Sequence, residues 1–178
     1  MSEILYPTID TIDNSFFYDL NENSNIDDYE PHKSVIPKVN RIIAIGDIHG
    51  DFDALLKALY IGKVIDKEGY WTGGKTHVVQ VGDLLDKGGR GININYNSEI
   101  DKDDSEWRII IYLEYLRKQA IKNGGYIHLL LGNHELMNVT SNLKYTTVKS
   151  NRYFGGEESR RNLFIRGGLM ARVLANLF

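Results

Sequence analysis

Three apolar segments of this chain each end at a glycine that is followed at once by a residue able to hold a metal ion. Val39-Asn-Arg-Ile-Ile-Ala-Ile45 runs into Gly46-Asp-Ile-His-Gly50. His77-Val-Val-Gln-Val81 runs into Gly82-Asp-Leu-Leu-Asp-Lys-Gly88. Tyr126-Ile-His-Leu-Leu-Leu131 runs into Gly132-Asn-His-Glu135. Short apolar runs of this kind read as strands buried in a sheet. The segments between them carry helix signals. Phe52, Leu55, Leu56 and Leu59 share one face of a helix over 51–60. Trp107, Ile110, Ile111, Leu113 and Leu116 line a longer helix over 105–122, with Asn123-Gly124 as its stop. Strands alternating with helices predict an α/β fold: a parallel βαβαβ sheet with strands near 41–46, 77–82 and 126–131.

In an open parallel sheet, ligands bind outside the carboxyl ends of the strands. The predicted sheet would therefore gather Asp47, His49, Asp83, Asn133 and His134 at one edge. Asp47 and His49 alternate so that both side chains can reach one ion. Asp83, on the next strand, is placed to bridge two. Asn133 offers a neutral amide oxygen. A Gly-Asp pair alone is a common strand-to-turn ending, and a histidine beside glycine is usually a turn residue. Three such endings in series, two of them with histidine, are hard to obtain from turn chemistry. The chain has no cysteine, which excludes disulfides, thiolate zinc sites and cysteine nucleophiles. An oxygen-rich set with some imidazole suits Mn, Fe or Zn better than Ca.

Charge divides the chain. Residues 1–40 hold eight acids and two bases, a net of −6, against −3 for all 178 residues, so the remainder carries +3. All three prolines (Pro7, Pro31 and Pro37) lie in that first segment, and Asn21 to Asp28 shows no apolar period. Residues 1–38 are expected to form an extended or disordered acidic arm, whose Phe16-Phe17-Tyr18 cluster docks on a partner or, as the simpler reading, straps onto the domain formed by 39–178. The polar stretch 88–105 is expected to be a long mobile loop. An overall charge of −3 argues against a general nucleic-acid binder. No apolar run approaches the ~18 residues of a membrane span, and the N-terminus lacks a secretory pattern. The expectation is a cytoplasmic or otherwise intracellular protein.

The series Gly-Asp-x-His-Gly, Gly-Asp-x-x-Asp-x-Gly and Gly-Asn-His-Glu resembles the calcineurin-like metallophosphoesterases, and within them the serine/threonine phosphoprotein phosphatases. Gly132-Asn-His-Glu-Leu-Met-Asn138 and Phe164-Ile-Arg-Gly-Gly-Leu-Met-Ala-Arg172 are most similar to the Shewanella-like phosphatases. The resemblance covers residues 41–178. It implies that the predicted sheet is half of an αββα sandwich. It implies two divalent metals: Asp47 and His49 on the first, Asp83 bridging, Asn133 on the second. It makes His134 the general acid, oriented by Asp86, and implies hydrolysis of a phosphorylated protein or a small phosphoester. A nucleotide or dinucleoside-polyphosphate substrate shares the same fingerprint.

The resemblance departs in two places. Lys87 stands where the family has a phosphate-holding Arg, and Lys is a point charge without the planar fork; Arg90, three positions on, is the candidate substitute, alongside Asn133 for the phosphate. The family also completes its second metal site with two downstream histidines, and no histidine follows His134 here. His77 lies six residues before Asp83, roughly 20 Å along a strand, and His128 five before Asn133, roughly 16 Å, so neither reaches the site; His32 lies on the arm. The expectation is the N-terminal half of a phosphatase domain, with an incomplete second metal position. A non-catalytic remnant that binds metal, phosphate or a partner is the competing reading. The apolar run Leu163–Phe178 is expected to be left partly unpartnered and to mediate self-association or pairing with a C-terminal half.

Overall fold

The structure, a computed structural model, describes residues 35–88 and 105–178. The arm up to residue 34 with His32, and the loop 89–104 with Arg90, lie outside the described residues.

Strands β1 (Ile42–Ile45), β2 (His77–Gln80) and β3 (Tyr126–Leu129) form a parallel sheet in the order β1-β2-β3. Ile42 stands opposite His77 and His77 opposite Tyr126. Strand β1 ends with its apolar run at Ile45, whereas β2 stops one residue and β3 two residues short of the ends of theirs. Val81, Leu130 and Leu131 are exposed, although Val81 N–H still donates to Ile45 O and Leu130 N–H to Gln80 O.

The crossovers are helices, as the periodicity demands. Helix α1 (Phe52–Ile61) starts at Asp51, whose carboxylate accepts from Ala54 N–H at 2.9 Å. This cap satisfies an amide that the first turn leaves without a partner. Phe52, Leu55, Leu56 and Leu59 are buried, the face expected. Helix α2 (Ser105–Lys122) buries more than one stripe: Ile109 to Leu113, Leu116 and Ala120 all sit in the core. Both helices contribute to one cluster with Ile45, Val78, Ile127 and Leu129 from the sheet.

The opposite sheet face is barer. Ile42 and Ala44 are exposed, and His77, Val79, Tyr126 and His128 are half-buried. His77 Nδ1 and His128 Nε2 lie 2.9 Å apart on this face. These two histidines bond each other in the strands and take no part in the glycine-ended loops, in agreement with the distances argued from sequence.

After β3 the chain is helical: α3 (Asn133–Val139), α4 (Val148–Tyr153), α5 (Glu157–Phe164) and α6 (Leu169–Leu177). Part of the Leu163–Phe178 run finds its partners within this chain, while Leu163, Leu169 and Phe178 stay half-buried. Met170, Val173, Leu174 and Leu177 are buried in the same core as the sheet. Arg117 of α2 donates to Leu177 O at 3.1 Å and holds the end of α6. The inward stripe of α6 packs within this chain, while Leu163, Leu169 and Met170 line a cavity with Trp107, Tyr153 and Phe154.

Candidate metal centre and the histidine–aspartate pair

The three glycine-ended loops meet at the carboxyl edge of the sheet. The first two are stitched by backbone bonds: Ile48 and His49 N–H both donate to Asp83 O, and Gly50 N–H donates to Leu84 O. The second and third approach so closely that only glycine fits. A Cβ on Gly82, which has φ +102°, would overlap the backbone of Gly132, and a Cβ on Gly132 would overlap the Asp83 carboxylate. His49, Asp83 and Asp86 all have left-handed backbones (φ 46°, 56° and 63°). Non-glycine residues adopt this region at a cost and persist there when their surroundings hold them, a pattern that concentrates at functional sites.

Glu135 does much of that holding. Its fully buried carboxylate accepts four backbone N–H groups. One oxygen takes Asp83 at 2.8 Å and Gly132 at 2.9 Å, and the other takes Leu84 at 2.9 Å and Leu85 at 3.1 Å. The side chain at the start of α3 thus fixes the turn that carries Asp83 and Asp86.

The donor atoms converge. His49, Asp83 and His134 each offer one ligand atom, all within 4.8 Å of one another. Leu85 O lies 3.1 Å from His49 Nδ1. A carbonyl only accepts, so Nδ1 is the donor in this contact and Nε2 is the nitrogen turned to a metal, the arrangement found behind metal-ligating histidines. Asp47, exposed, has Oδ2 at 3.7 Å from that Nε2, beside the tight group rather than inside it. Asp83 Oδ1 accepts from His134 N–H at 2.9 Å. Asn133, also exposed, opens α3 next to His134. An imidazole nitrogen and carboxylate oxygens in loops that leave no room for extra side chains fit a divalent cation.

His134 is buried, and its Nδ1 faces Asp86 Oδ2 at 3.0 Å. The rings of His49 and Tyr145 flank it, with centroids at 4.6 and 5.1 Å. Asp86, fully buried, has its other oxygen occupied by Asn138 Nδ2 at 2.9 Å and by the Arg160 guanidinium at 3.1 Å. Arg160 in turn pairs with Glu106 at 2.8 Å. Burial pushes the Glu106 carboxyl above its ordinary value, and Arg160 beside it pulls partway back. Half-buried Lys87 has its backbone N–H 3.4 Å from the same Glu106 carboxylate.

The structure therefore brings Asp47, His49, Asp83, Asp86, Lys87, Asn133 and His134 to one edge. Sequence reasoning missed Glu135, Asn138, Arg160 and Glu106. Glu135 was visible as the acid three residues after Gly132, where a side chain reaches back to first-turn amides. Arg160 had no local signal, because its partners Asn138, Glu106 and Asp86 lie 22, 54 and 74 positions away.

The fold and this edge define a metallophosphoesterase. Residues 40–173 match the calcineurin-like phosphoesterase family, and the chain belongs to it. Among curated relatives it is 41% identical over 112 residues to Shewanella-like protein phosphatase 2 of Arabidopsis thaliana, an alignment covering 63% of this chain and 25% of the relative. It is 37% identical over 109 residues to Shewanella-like protein phosphatase 1 of Plasmodium berghei, covering 61% and 26%. The solved structure of the cold-active protein-tyrosine phosphatase of a psychrophilic Shewanella species superposes with a TM-score of 0.58 at 27% identity, covering 79% of this chain and 39% of that one. The chain thus spans about a quarter of the length of the curated relatives it matches.

Proposed function

We propose that this edge hydrolyses phosphate monoesters, of the phosphoprotein type, with divalent metal. The observation that carries the reading is the buried His134–Asp86 pair set directly against the His49–Asp83 cluster. Asp47, His49 and Asp83 would hold one metal, and Asp83 with Asn133 a second, for which this chain offers no further histidine beyond His134. Divalent ions bound there supply charge stabilisation at the phosphoryl oxygens and lower the pKa of water. Mn, Fe or Zn suits the ligand set.

The protein's own part is positioning and proton transfer. Asp86 accepts from Nδ1–H of His134 and so leaves Nε2 as the atom that delivers a proton to the departing alkoxide. Tyr145 beside His134 limits the ring's freedom. Lys87, next to Asp86 in the sequence, is a candidate cation for the phosphate. Phosphoserine, phosphothreonine and phosphotyrosine all fall within this monoester class, and the solved Shewanella neighbour is a protein-tyrosine phosphatase.

Phosphate release from phosphoserine, phosphothreonine and phosphotyrosine peptides, measured with Mn, Fe or Zn and after chelation, tests the reading. Metal-dependent release that His134→Asn suppresses is the expected result. No metal-dependent release from any of them would overturn it.

A further inference from the structure

Arg160 is fully buried, and four donor bonds fix its guanidinium. Nε donates to Asn138 Oδ1 at 2.9 Å, and one terminal nitrogen to Ser150 Oγ at 3.3 Å. The other terminal nitrogen donates to Asp86 Oδ1 at 3.1 Å and to Glu106 Oε2 at 2.8 Å. The rings of Phe154 and Phe164 lie 4.9 and 5.3 Å from its central carbon. A buried arginine this constrained exceeds what neutralising one carboxylate requires, since a single ion pair would do that.

The geometry points to a positioning role: we infer that Arg160, with Asn138, sets the rotation of the Asp86 carboxylate, and through it the aim of His134. Asp86 Oδ1 is filled by Asn138 and Arg160, so only Oδ2 is presented to Nδ1 of His134. Asn138 is itself oriented by the same guanidinium through its Oδ1, which turns its NH2 toward Asp86. Glu106 shares the Arg160 charge, so Asp86 is held without being the sole counter-ion. Lys offers no planar fork and cannot reproduce these contacts together. The inference rests on the phosphatase reading for its consequence in turnover, but not for its structural content.

Two readouts on the full chain separate the cases. In histidine-15N-labelled, metal-free chain, the His134 Nδ1–H should give a proton signal protected from exchange with water, as a buried hydrogen-bonded group does. Arg160→Lys should broaden or abolish that signal while backbone amides stay dispersed. Arg160→Met combined with Glu106→Gln, which removes Arg160 with one of its two carboxylate partners and leaves Asp86 to Asn138 and His134, should do the same if the lysine variant fails to fold. In Mn-dependent assays, Arg160→Lys should lower kcat on a phosphoserine peptide at least tenfold more than on p-nitrophenyl phosphate, whose leaving group needs no proton. A merely structural role would lower both alike.

A folded variant with the His134 signal at wild-type protection would overturn the inference, as would an unchanged ratio between the two substrates. A wild-type chain inactive on both substrates would count against the phosphatase reading alone, and the protection measurement would still decide on Arg160.

Discussion

Nδ1 of His134 and Oδ2 of Asp86 lie 3.0 Å apart, with the two side chains only 5% and 0% exposed. A ring held on one nitrogen by a buried carboxylate keeps the other nitrogen for a single task. That task separates two readings, because His134 also lies within 4.8 Å of His49 and Asp83 as a possible ligand. If it is the proton donor, His134→Asn should lower turnover by about 10²–10⁴-fold and leave metal content near wild type. Metal analysis of the purified variant checks this, and loss of metal would make His134 a ligand.

Asp83 is the residue on which both metal positions depend in the proposed arrangement. Asp83→Asn keeps an oxygen to accept from His134 N–H, so the loop should survive while the charge is lost. Calorimetric titration with Mn should show a fall in affinity larger than the roughly 10–100-fold typical of residues that only support ligands. Affinity equal to wild type would remove Asp83 from the site.

Glu135→Gln tests what holds the loops. Its carboxylate accepts four amides, and an amide side chain would turn its NH2 toward two of them. Leaving buried donors without acceptors costs about 1–3 kcal/mol for a group, so a loss of about 2–4 kcal/mol is expected in denaturant unfolding. A loss below about 1 kcal/mol would show that the turn is held by other contacts.

Burial raises Glu106 above its ordinary value of 4.5, and the nearby Arg160 offsets only part of that. The folded chain therefore keeps this proton to higher pH than the unfolded chain does. Between 4.5 and the raised value the native state binds more protons, so the contribution of Glu106 to stability falls as pH rises through that interval. The stability difference, wild type minus Glu106→Gln, should accordingly decrease with rising pH there. An increase would mean that Arg160 outweighs burial.

Much of the edge was legible because its residues are adjacent to the strand-ending glycines. Gly46-Asp-Ile-His-Gly50, Gly82-Asp83 and Gly132-Asn-His-Glu135 carry their geometry locally, and a period-2 or period-3.6 pattern locates the elements that flank them. What stands behind the edge was not legible. Asn138, Arg160 and Glu106 are ordinary helix residues until the fold joins α2, α3 and α5 around Asp86, a contact no local pattern encodes. The apolar run at the C-terminus has a related limit: its amphipathic stripe is legible in the sequence, but a stripe does not say which surface it covers.

The last prediction follows from that stripe. Leu174 is 2% exposed and lies in the same cluster as Leu116 and Ile127, so this side chain of α6 belongs to the core. Leu174→Ala should then destabilise the chain by about 2–5 kcal/mol, through lost burial and the cavity left behind. It should leave the oligomeric state at a given concentration of folded protein unchanged, because the side chain faces inward. Denaturant unfolding and analytical sizing of the same preparation measure both quantities. A surface role would give the opposite pair of results, a small change in stability and a shift in association, since an exposed leucine loses little contact on truncation but removes part of a docking patch.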